Sequence, residues 1–462
     1  MAEYATGVLR VHDTAKRAVV PFEPREPGKV SMYVCGPTVY DVPHLGHGRF
    51  TLVWDVIRRY LEWRGFDVRF VSNITDIEDK IIAKAKADGR GWESVVEEYT
   101  TAWFDAMDRL GVRRPDDVPT ATGYVEQMVA YISELIDRGR AYETPDGVYL
   151  SVETVEGYGL LAQQDLDKTE VGGGERDIVG AETKRAAADF VLWKKAKPGE
   201  PAWAAPFEPG RPGWHIECTV MSLDLLGDGF DIHGGGDDLR FPHHENERAQ
   251  AIAGGRTFAS YWLHNGMVNG KGGQKMSKSL GNYVSLTDLL ARDGFDPRAL
   301  RMLVLRAKYR SPIEVADEHL ADAAKAVARL DELARRVVDD LGLGADENVV
   351  QRFRDAMDDD FNTPAAMAVL MDTIRDANAA LDAGDHRTAQ PLVDAALKIA
   401  EVVGLEPKAE EDADPAALAL ARERDEAREA KDFGRSDELR TKLQSLGYVV
   451  KDTPAGTRLT RS

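Results

Sequence analysis

The succession of strand, loop, helix and strand between residues 32 and 73 constrains the fold more than any other feature of this chain. Met32-Tyr-Val-Cys35 is a short apolar run typical of a buried strand, and Val68 to Asn73 is another. Between them, after a loop rich in Gly, Pro and His, Phe50, Val53 and Ile57 recur at helical spacing. Such a unit predicts parallel strands, with ligands bound beyond their carboxyl ends, where the loop 36–46 lies.

The strand pattern resumes far downstream. Phe230-Asp-Ile-His233 runs into three glycines and a helix, and Tyr261-Trp-Leu-His264 is predicted to be a further strand. We therefore predict an α/β Rossmann-type catalytic domain that is split by a mixed insertion. The predicted bounds are 1–75 and 214–270 for the catalytic domain and 76–213 for the insertion, which is expected to be helical over 92–140 and loop-rich over 141–213.

Beyond Pro312 the pattern changes to Ala-rich helices. Leu320, Val327 and Leu330 lie on one helical face, which predicts an all-α helix bundle. An acidic, Pro-flanked stretch then predicts a linker, followed by a small α/β-like tail unit. The predicted bounds are 271–312 for a lysine-bearing loop and the region after it, 313–405 for the bundle, 406–418 for the linker and 419–462 for the tail unit.

Composition narrows the functional class. The net charge of −20 argues against a general nucleic-acid-binding surface, yet from Lys431 onward there are 7 Lys and Arg against 4 Asp and Glu, so the tail is locally basic. We see no apolar run of about 18 residues and no secretion signal, and we expect no membrane association. Two cysteines do not make a disulfide framework, so a reducing, cytoplasmic setting is expected.

His44-Leu-Gly46-His47 occupies the first strand-to-helix loop. Helix N-termini bind anions through free backbone N–H groups, and two histidines there can hydrogen-bond a phosphate. Gly46 lets a flat ligand approach the backbone. The alternative is an ordinary helix entry with two surface histidines.

Lys275-Met-Ser-Lys278-Ser follows a Gly-rich approach. Two lysines on such a loop can neutralise charge that develops on a polyphosphate during reaction. The alternative is a solvated lysine loop.

Together the two motifs resemble those of class I aminoacyl-tRNA synthetases. That resemblance implies activation of an amino acid by ATP, with Mg²⁺, followed by transfer to tRNA. It also implies that His44 and His47 contact ATP phosphates, with Gly46 beside them. Lys275 and Lys278 would stabilise the pentavalent phosphorus, and Lys278 would contact ATP.

The two cysteines and a His/Glu pair predict a metal site less strongly. Cys35 ends the first strand, Cys218 lies in Gly-Trp-His-Ile-Glu-Cys, and His243 and Glu247 are four residues apart, on one helix face. Two thiolates, an imidazole and a carboxylate suit zinc. Spacing alone leaves open that the cysteines are buried bystanders, that His244 replaces His243, or that Glu245 replaces Glu247. A zincin-type hydrolase is excluded, because no His-Glu-x-x-His pair exists.

Longer motifs resemble those of cysteinyl-tRNA synthetases along the whole chain. They are Tyr33 to Asp41, Asn73 to Lys80, Gly213 to Cys218, Phe230 to Glu247, Asp359 to Pro364 and Lys431 to Phe433. The resemblance implies one zinc ion held by Cys35, Cys218, His243 and Glu247, with the substrate thiolate bound to it. It also implies a pocket formed by Trp214, Thr75 and His233.

The resemblance implies a cytoplasmic, monomeric cysteine–tRNA ligase whose partners are L-cysteine, ATP and tRNA(Cys), and whose region 271–312 contacts the tRNA stem. The bundle would be DALR-like, and the basic tail unit would bind the anticodon. Two alternatives remain: a ligase joining cysteine to an amino sugar in mycothiol synthesis, and a non-catalytic tRNA- or nucleotide-binding paralogue.

Overall fold

The computed structural model describes residues 7–162, 183–270, 285–336, 342–408, 414–453 and 456–461. The predicted lysine loop, with Lys275 and Lys278, and the Gly172-rich stretch lie outside these residues. The chain forms two compact units, Met1–Leu405 and Glu406–Ser462.

The first unit alternates strands with helices and ends in a run of helices. Its strands are β1 Arg10–Asp13, β2 Ala18–Pro21, β3 Lys29–Val34, β4 Asp67–Val71, β5 Ala141–Thr144, β6 Gly147–Leu150, β7 Phe190–Lys195, β8 Gly210–Pro212, β9 Ile232–Gly236, β10 Tyr261–Asn265, β11 Val268–Asn269 and β12 Ile313–Glu314. Its helices are α1 Leu45–Trp63, α2 Asp79–Asp88, α3 Trp92–Arg109, α4 Val125–Asp137, α5 Trp214–Leu226, α6 Glu245–Ala253, α7 Leu286–Leu290, α8 Pro297–Leu305, α9 Asp317–Arg336, α10 Glu347–Asp358, α11 Thr363–Asp382 and α12 His386–Val402.

A four-stranded parallel sheet lies at the centre, in the order β10-β9-β3-β4. Helix α1 connects β3 to β4, as the apolar spacing predicts, and Gly65 follows its C-cap with a φ of +92°. Trp54 of α1 packs against β9, where a Cβ at Gly234 would lie 2.1 Å from the indole. The glycine therefore allows the helix to pack closely on the sheet.

The insertion contains helices α2 to α4 and a second sheet. The prediction that residues 141–213 are loop-rich is wrong, because β5, β6, β7 and β8 form an antiparallel four-stranded sheet there. These strands are only 3 to 6 residues long and are separated by Gly- and Pro-containing segments. Such short runs carry too little periodicity to be recognised in the sequence.

Helices α9 to α12 pack together in the region predicted to be a bundle. A buried ion pair joins α8, which precedes this region, to α1 of the catalytic domain: Arg301 donates to Asp55 at 2.6 Å. The same guanidinium donates to the carbonyls of Leu110, Gly111 and Val403, at the ends of α3 and α12. One side chain thus connects four helices.

The second unit contains α13 Pro415–Glu429, α14 Phe433–Ser445 and the hairpin of β13 Tyr448–Thr453 with β14 Gly456–Arg461. Helix α13 begins inside the predicted linker, 406–418, so that prediction extends too far. Asp414 is the reason, because its carboxylate caps the helix and Pro415 occupies the first turn.

None of the helices in the described ranges combines the length and apolar character that crossing a bilayer requires.

We expect Arg301→Met to lower the free energy of unfolding by about 3–5 kcal/mol, because it leaves a buried carboxylate and three carbonyls without their donor. Chemical denaturation measures this loss. Arg306→Gln is the matched control, since its pair with Asp322 is exposed and solvent screens it. Equal losses in the two variants would contradict the role given to Arg301.

Candidate active site

The carboxyl ends of three strands meet at one edge of the central sheet. Cys35 follows β3, Thr75 lies in the loop after β4, and His233 lies on β9, directly opposite Tyr33. The loops after β3 and β4 also bond to each other: the Thr75 N–H donates to the Pro37 carbonyl at 3.0 Å, and the Val39 N–H donates to the Thr75 carbonyl at 3.3 Å. The two loops therefore line one common crevice.

Cys35, Cys218, His243 and Glu247 converge in this crevice. Each offers one ligand atom, and all four atoms lie within 4.8 Å of one another. The Glu247 carboxylate is central, because its Oε1 lies 3.5 Å from the Cys35 Sγ and 3.0 Å from the His243 Nε2. The structure therefore brings together the four residues that the resemblance predicts as ligands.

The structure separates the alternatives that spacing left open. Glu245 turns away from the crevice, and its Oε2 accepts from the N–H groups of Leu161 at 2.6 Å and Ala162 at 3.2 Å. His244 lies in the same pocket, but its Nδ1 lies 2.8 Å from the His264 Nε2. It belongs to a second possible grouping, with Cys35, His233 and Glu247. Only the first grouping includes both thiols.

The chemistry of the cluster fits a divalent cation. All four side chains are buried, and three of them become anions when they act as ligands. Burial, followed by the neighbouring Cys218 thiol, raises the pKa of Cys35 well above its usual range, and burial also raises the pKa of Cys218. The thiols therefore stay protonated unless a cation offsets the cost of burying charge. Two sulfurs, one nitrogen and one oxygen are a donor set that zinc accepts.

Of the three pocket residues that the resemblance predicts, Trp214 and His233 contact the cluster, whereas Thr75 contacts Glu217 beside it. Trp214 stacks on His243, with ring centroids 4.0 Å apart. The His233 Nε2 lies 2.8 Å from the Glu247 Oε2. The Thr75 hydroxyl donates to the buried Glu217 carboxylate at 3.0 Å.

Sequence reasoning missed Asn73 as part of the site. Its amide donates to the Thr75 hydroxyl at 3.2 Å and accepts from the Gly36 N–H at 2.9 Å. The same amide oxygen lies 3.7 Å from the Cys218 Sγ. Asn73 thus ties both strand ends to helix α5, and only its place at the head of a motif could have indicated this.

His44 and His47 cap helix α1 reciprocally. The His47 N–H donates to the His44 Nδ1 at 3.3 Å, and the His44 N–H donates to the His47 Nδ1 at 3.2 Å. Because each Nδ1 accepts, each proton is placed on Nε2, which leaves two N–H donors. Burial, then the His44 ring, holds the pKa of His47 well below its usual range, so it is a neutral donor at pH 7.

Gly46 makes this arrangement possible. The two imidazoles stack with centroids 3.7 Å apart, and a Cβ at Gly46 would lie 2.8 Å from the His44 ring. Any side chain there would therefore disturb the stack. Beside it, the Leu286 N–H donates to the Pro43 carbonyl at 3.1 Å, so the described residues after the lysine motif adjoin the histidine loop.

Comparison with known proteins agrees with this geometry. The model of the class I (C) tRNA synthetase catalytic domain matches residues 21–325. A DALR domain model matches residues 352–406, and a cysteinyl-tRNA ligase anticodon-binding domain model matches residues 410–458.

Relatives cover nearly the whole chain. The cysteine–tRNA ligase of Syntrophotalea carbinolica is 44% identical over 97% of this chain and 98% of its own length. That of Thermotoga maritima is 43% identical over 98% of this chain and 100% of its own length.

A solved structure supports the fold. Mycobacterium tuberculosis methionyl-tRNA synthetase, in complex with methionyl-adenylate, aligns with a TM-score of 0.59 at 16% identity, covering 82% of this chain and 90% of that one. The class I synthetase fold of the catalytic domain is thereby confirmed, and so is the resemblance noted in the sequence. This chain belongs to the cysteine–tRNA ligase family.

Proposed function

We propose that the protein activates L-cysteine with ATP and transfers it to the 3′-terminal adenosine of tRNA(Cys). The observation that carries this proposal is the buried cluster of two thiols, an imidazole and a carboxylate beside a histidine-capped helix N-terminus. The cysteine carboxylate attacks the α-phosphorus, the bond to pyrophosphate breaks, and cysteinyl-adenylate forms. A ribose hydroxyl of tRNA then takes the aminoacyl group and AMP leaves.

We propose that Cys35, Cys218, His243 and Glu247 hold one zinc ion. A bound zinc ion would act as a Lewis acid that binds the thiolate of cysteine in preference to the hydroxyl of serine. A pocket based on shape alone would discriminate poorly between these two substrates, because they differ by a single atom. Trp214 packs over His243 and limits the access of water to the cluster.

The remaining catalytic groups act by position and charge. In this proposal the Nε2–H groups of His44 and His47 donate to ATP phosphate oxygens, and Gly46 lets the nucleotide approach the backbone. Lys275 and Lys278 neutralise the charge on the pentavalent phosphorus, and Mg²⁺ accompanies ATP. Such preorganised donors need no reorganisation during the reaction.

Thr75 and His233 complete the proposed amino-acid pocket. The Thr75 hydroxyl is oriented by Glu217 and Asn73, and His233 is oriented by Glu247 and by the Tyr33 carbonyl, 3.0 Å from its Nδ1. Side chains held from two sides in this way keep their positions when a ligand enters.

The parts of the chain would divide the work. We propose activation in 1–75 and 214–270, which the connective insertion 76–213 divides, the lysine loop and stem contact in 271–312, support by the bundle in 313–405, and anticodon binding in 419–462, after a linker that ends before the N-cap Asp414. The domain models that match residues 352–406 and 410–458 support the assignments of the bundle and of the anticodon-binding part. They also weigh against an amino-sugar ligase, which needs no anticodon-binding part. We propose a cytoplasmic monomer, in keeping with two free, buried thiols.

Cys218→Ser tests the proposed metal site. We expect the purified variant to lose its zinc, because a hydroxyl is a poor ligand, and the KM for cysteine in ATP–pyrophosphate exchange to rise by more than ~10-fold. Elemental analysis gives the metal content independently of activity. Ser222→Ala, on the same helix but outside the cluster, should keep both. Unchanged zinc content in Cys218→Ser would rule the site out.

The second unit offers one exposed aromatic side chain for base stacking. Phe433, the first residue of α14, is 66% exposed, and Lys431 and Arg435 beside it are exposed cations. Aromatic rings next to cations are typical of surfaces that bind single-stranded RNA.

We expect Phe433→Ala to raise the KM for tRNA in charging by ~10–100-fold, since stacking is worth about 1–3 kcal/mol per base. Cysteine-dependent exchange without tRNA should not change. Leu446→Ala is the matched control, because Leu446 is 51% exposed at the other end of α14. A normal KM for tRNA in Phe433→Ala would remove this residue from the proposed interface.

A further inference from the structure

Two residues at the rim of the crevice have no part in the chemistry described so far. The Lys80 Nζ lies over the ring of Tyr40, 5.0 Å from its centroid. Tyr40 lies in the loop after β3 and Lys80 in the first turn of α2, so the pair bridges the two loops that form the crevice. Both residues are half-buried.

The Tyr40–Lys80 contact adds to the hydrogen bonds that join the loop after β3 to the loop after β4. Pro37 and Val39 bond to Thr75 inside the crevice, and Tyr40, the next residue after Val39, contacts Lys80, which lies five residues after Thr75 in the first turn of α2. Along the loop after β3, Tyr40 stands between Cys35 of the metal cluster and His44 of the helix cap. The ammonium group therefore lies on the loop that joins the cysteine cluster to the helix cap.

The two acidic residues that precede Lys80 bind groups other than its ammonium. Its neighbour Asp79 accepts from Lys194 at 2.6 Å and from Arg211, both on the insertion sheet. The Glu78 carboxylate accepts from the Lys80 backbone N–H at 2.6 Å. Within the described ranges no carboxylate lies within ion-pair distance of the Lys80 ammonium itself. On a chain with a net charge of −20, a half-buried cation held on a ring and left without a counter-ion is suited to an incoming anion.

The position of Lys80 indicates which kind of anion it would bind. The histidine cap at the start of α1 serves the nucleotide, whereas Lys80 lies on the β4 side, next to residues that pair with the insertion. Transfer requires that a second anionic chain bring its terminal hydroxyl to the same pocket. A lysine offers one compact charge, which suits a single backbone phosphate.

We propose that Lys80, held against the Tyr40 ring, binds a backbone phosphate of the single-stranded 3′ end of tRNA during aminoacyl transfer. This inference rests on the proposed function, because it needs transfer to tRNA. It assigns to Lys80 a part in the second half-reaction and none in the first.

Lys80→Gln tests the assignment, with Lys84→Gln as its matched control one turn along α2, where the lysine pairs with Asp88. We expect Lys80→Gln to keep cysteine-dependent ATP–pyrophosphate exchange and to lower kcat/KM for tRNA charging about 5–10-fold at physiological salt. The dependence of log(kcat/KM) on log[salt] should become shallower by about 0.7, the value for one contact to a single strand. Lys84→Gln should change neither reaction.

Two outcomes would overturn the inference: normal charging in Lys80→Gln, or a parallel fall in exchange, which would place Lys80 on ATP. Absence of exchange in the wild-type protein would instead refute the proposed function, and this inference with it. Tyr40 provides a second test. Tyr40→Phe keeps a ring beneath the ammonium and should charge normally, whereas Tyr40→Leu should lose charging and keep exchange. Equal charging by these two variants would contradict the role of the ring.

Discussion

The parallel pairing of β3 with both β4 and β9 is the constraint on which the rest of the structure depends. Tyr33 pairs with Val71 on one side and with His233 on the other, so these three residues are level near the carboxyl ends of β3 and β4, and β9 continues beyond them to Gly236. A slip of one residue in β9 would turn His233 to the opposite face of the sheet. Because His233 of β9 contacts Glu247 of α6, and α5 packs on α6, the same slip would disturb the positions of Glu247 and Cys218 relative to Cys35. The register of the strands therefore determines the geometry of the site before any ligand binds.

The two ends of the crevice, the cysteine cluster and the histidine-capped helix N-terminus, differ in electrostatic character. One side concentrates groups that become anions inside the protein, which is costly without a cation. The other side presents neutral imidazole donors and an open helix N-terminus, which suit phosphates. The two sides are separated by the eight residues between Cys35 and His44 in the loop after β3. In the proposed function a single loop would thus bring amino acid and nucleotide together, each in an environment of opposite electrostatic character.

The sequence predicted the parts of this fold that have strong periodicity or long motifs. Helix α1, with its flanking strands, follows from apolar spacing, and the four residues of the metal cluster follow from family resemblance. Spacing alone could not select Glu247 over Glu245, because two carboxylates two residues apart are equivalent until the direction of the helix is known. The insertion strands were missed because each is too short to carry a period. Asn73 was missed because its role depends on contacts between segments distant in sequence.

The opposed directions of Glu245 and Glu247 have a consequence for how such a site can change. The Glu245 carboxylate accepts hydrogen bonds from the backbone of Leu161 and Ala162, whereas the Glu247 carboxylate belongs to the cluster. Both residues lie in the first turn of α6. Each residue added to a helix rotates the remaining side chains by about 100° around its axis. Glu245 and Glu247 are two residues apart and so point about 200° apart, and an insertion of two residues between His243 and α6 would place Glu245 in the direction that Glu247 has now. The length of the irregular turn Arg240–His244 before α6, together with His243 within it, therefore determines which carboxylate reaches the cluster.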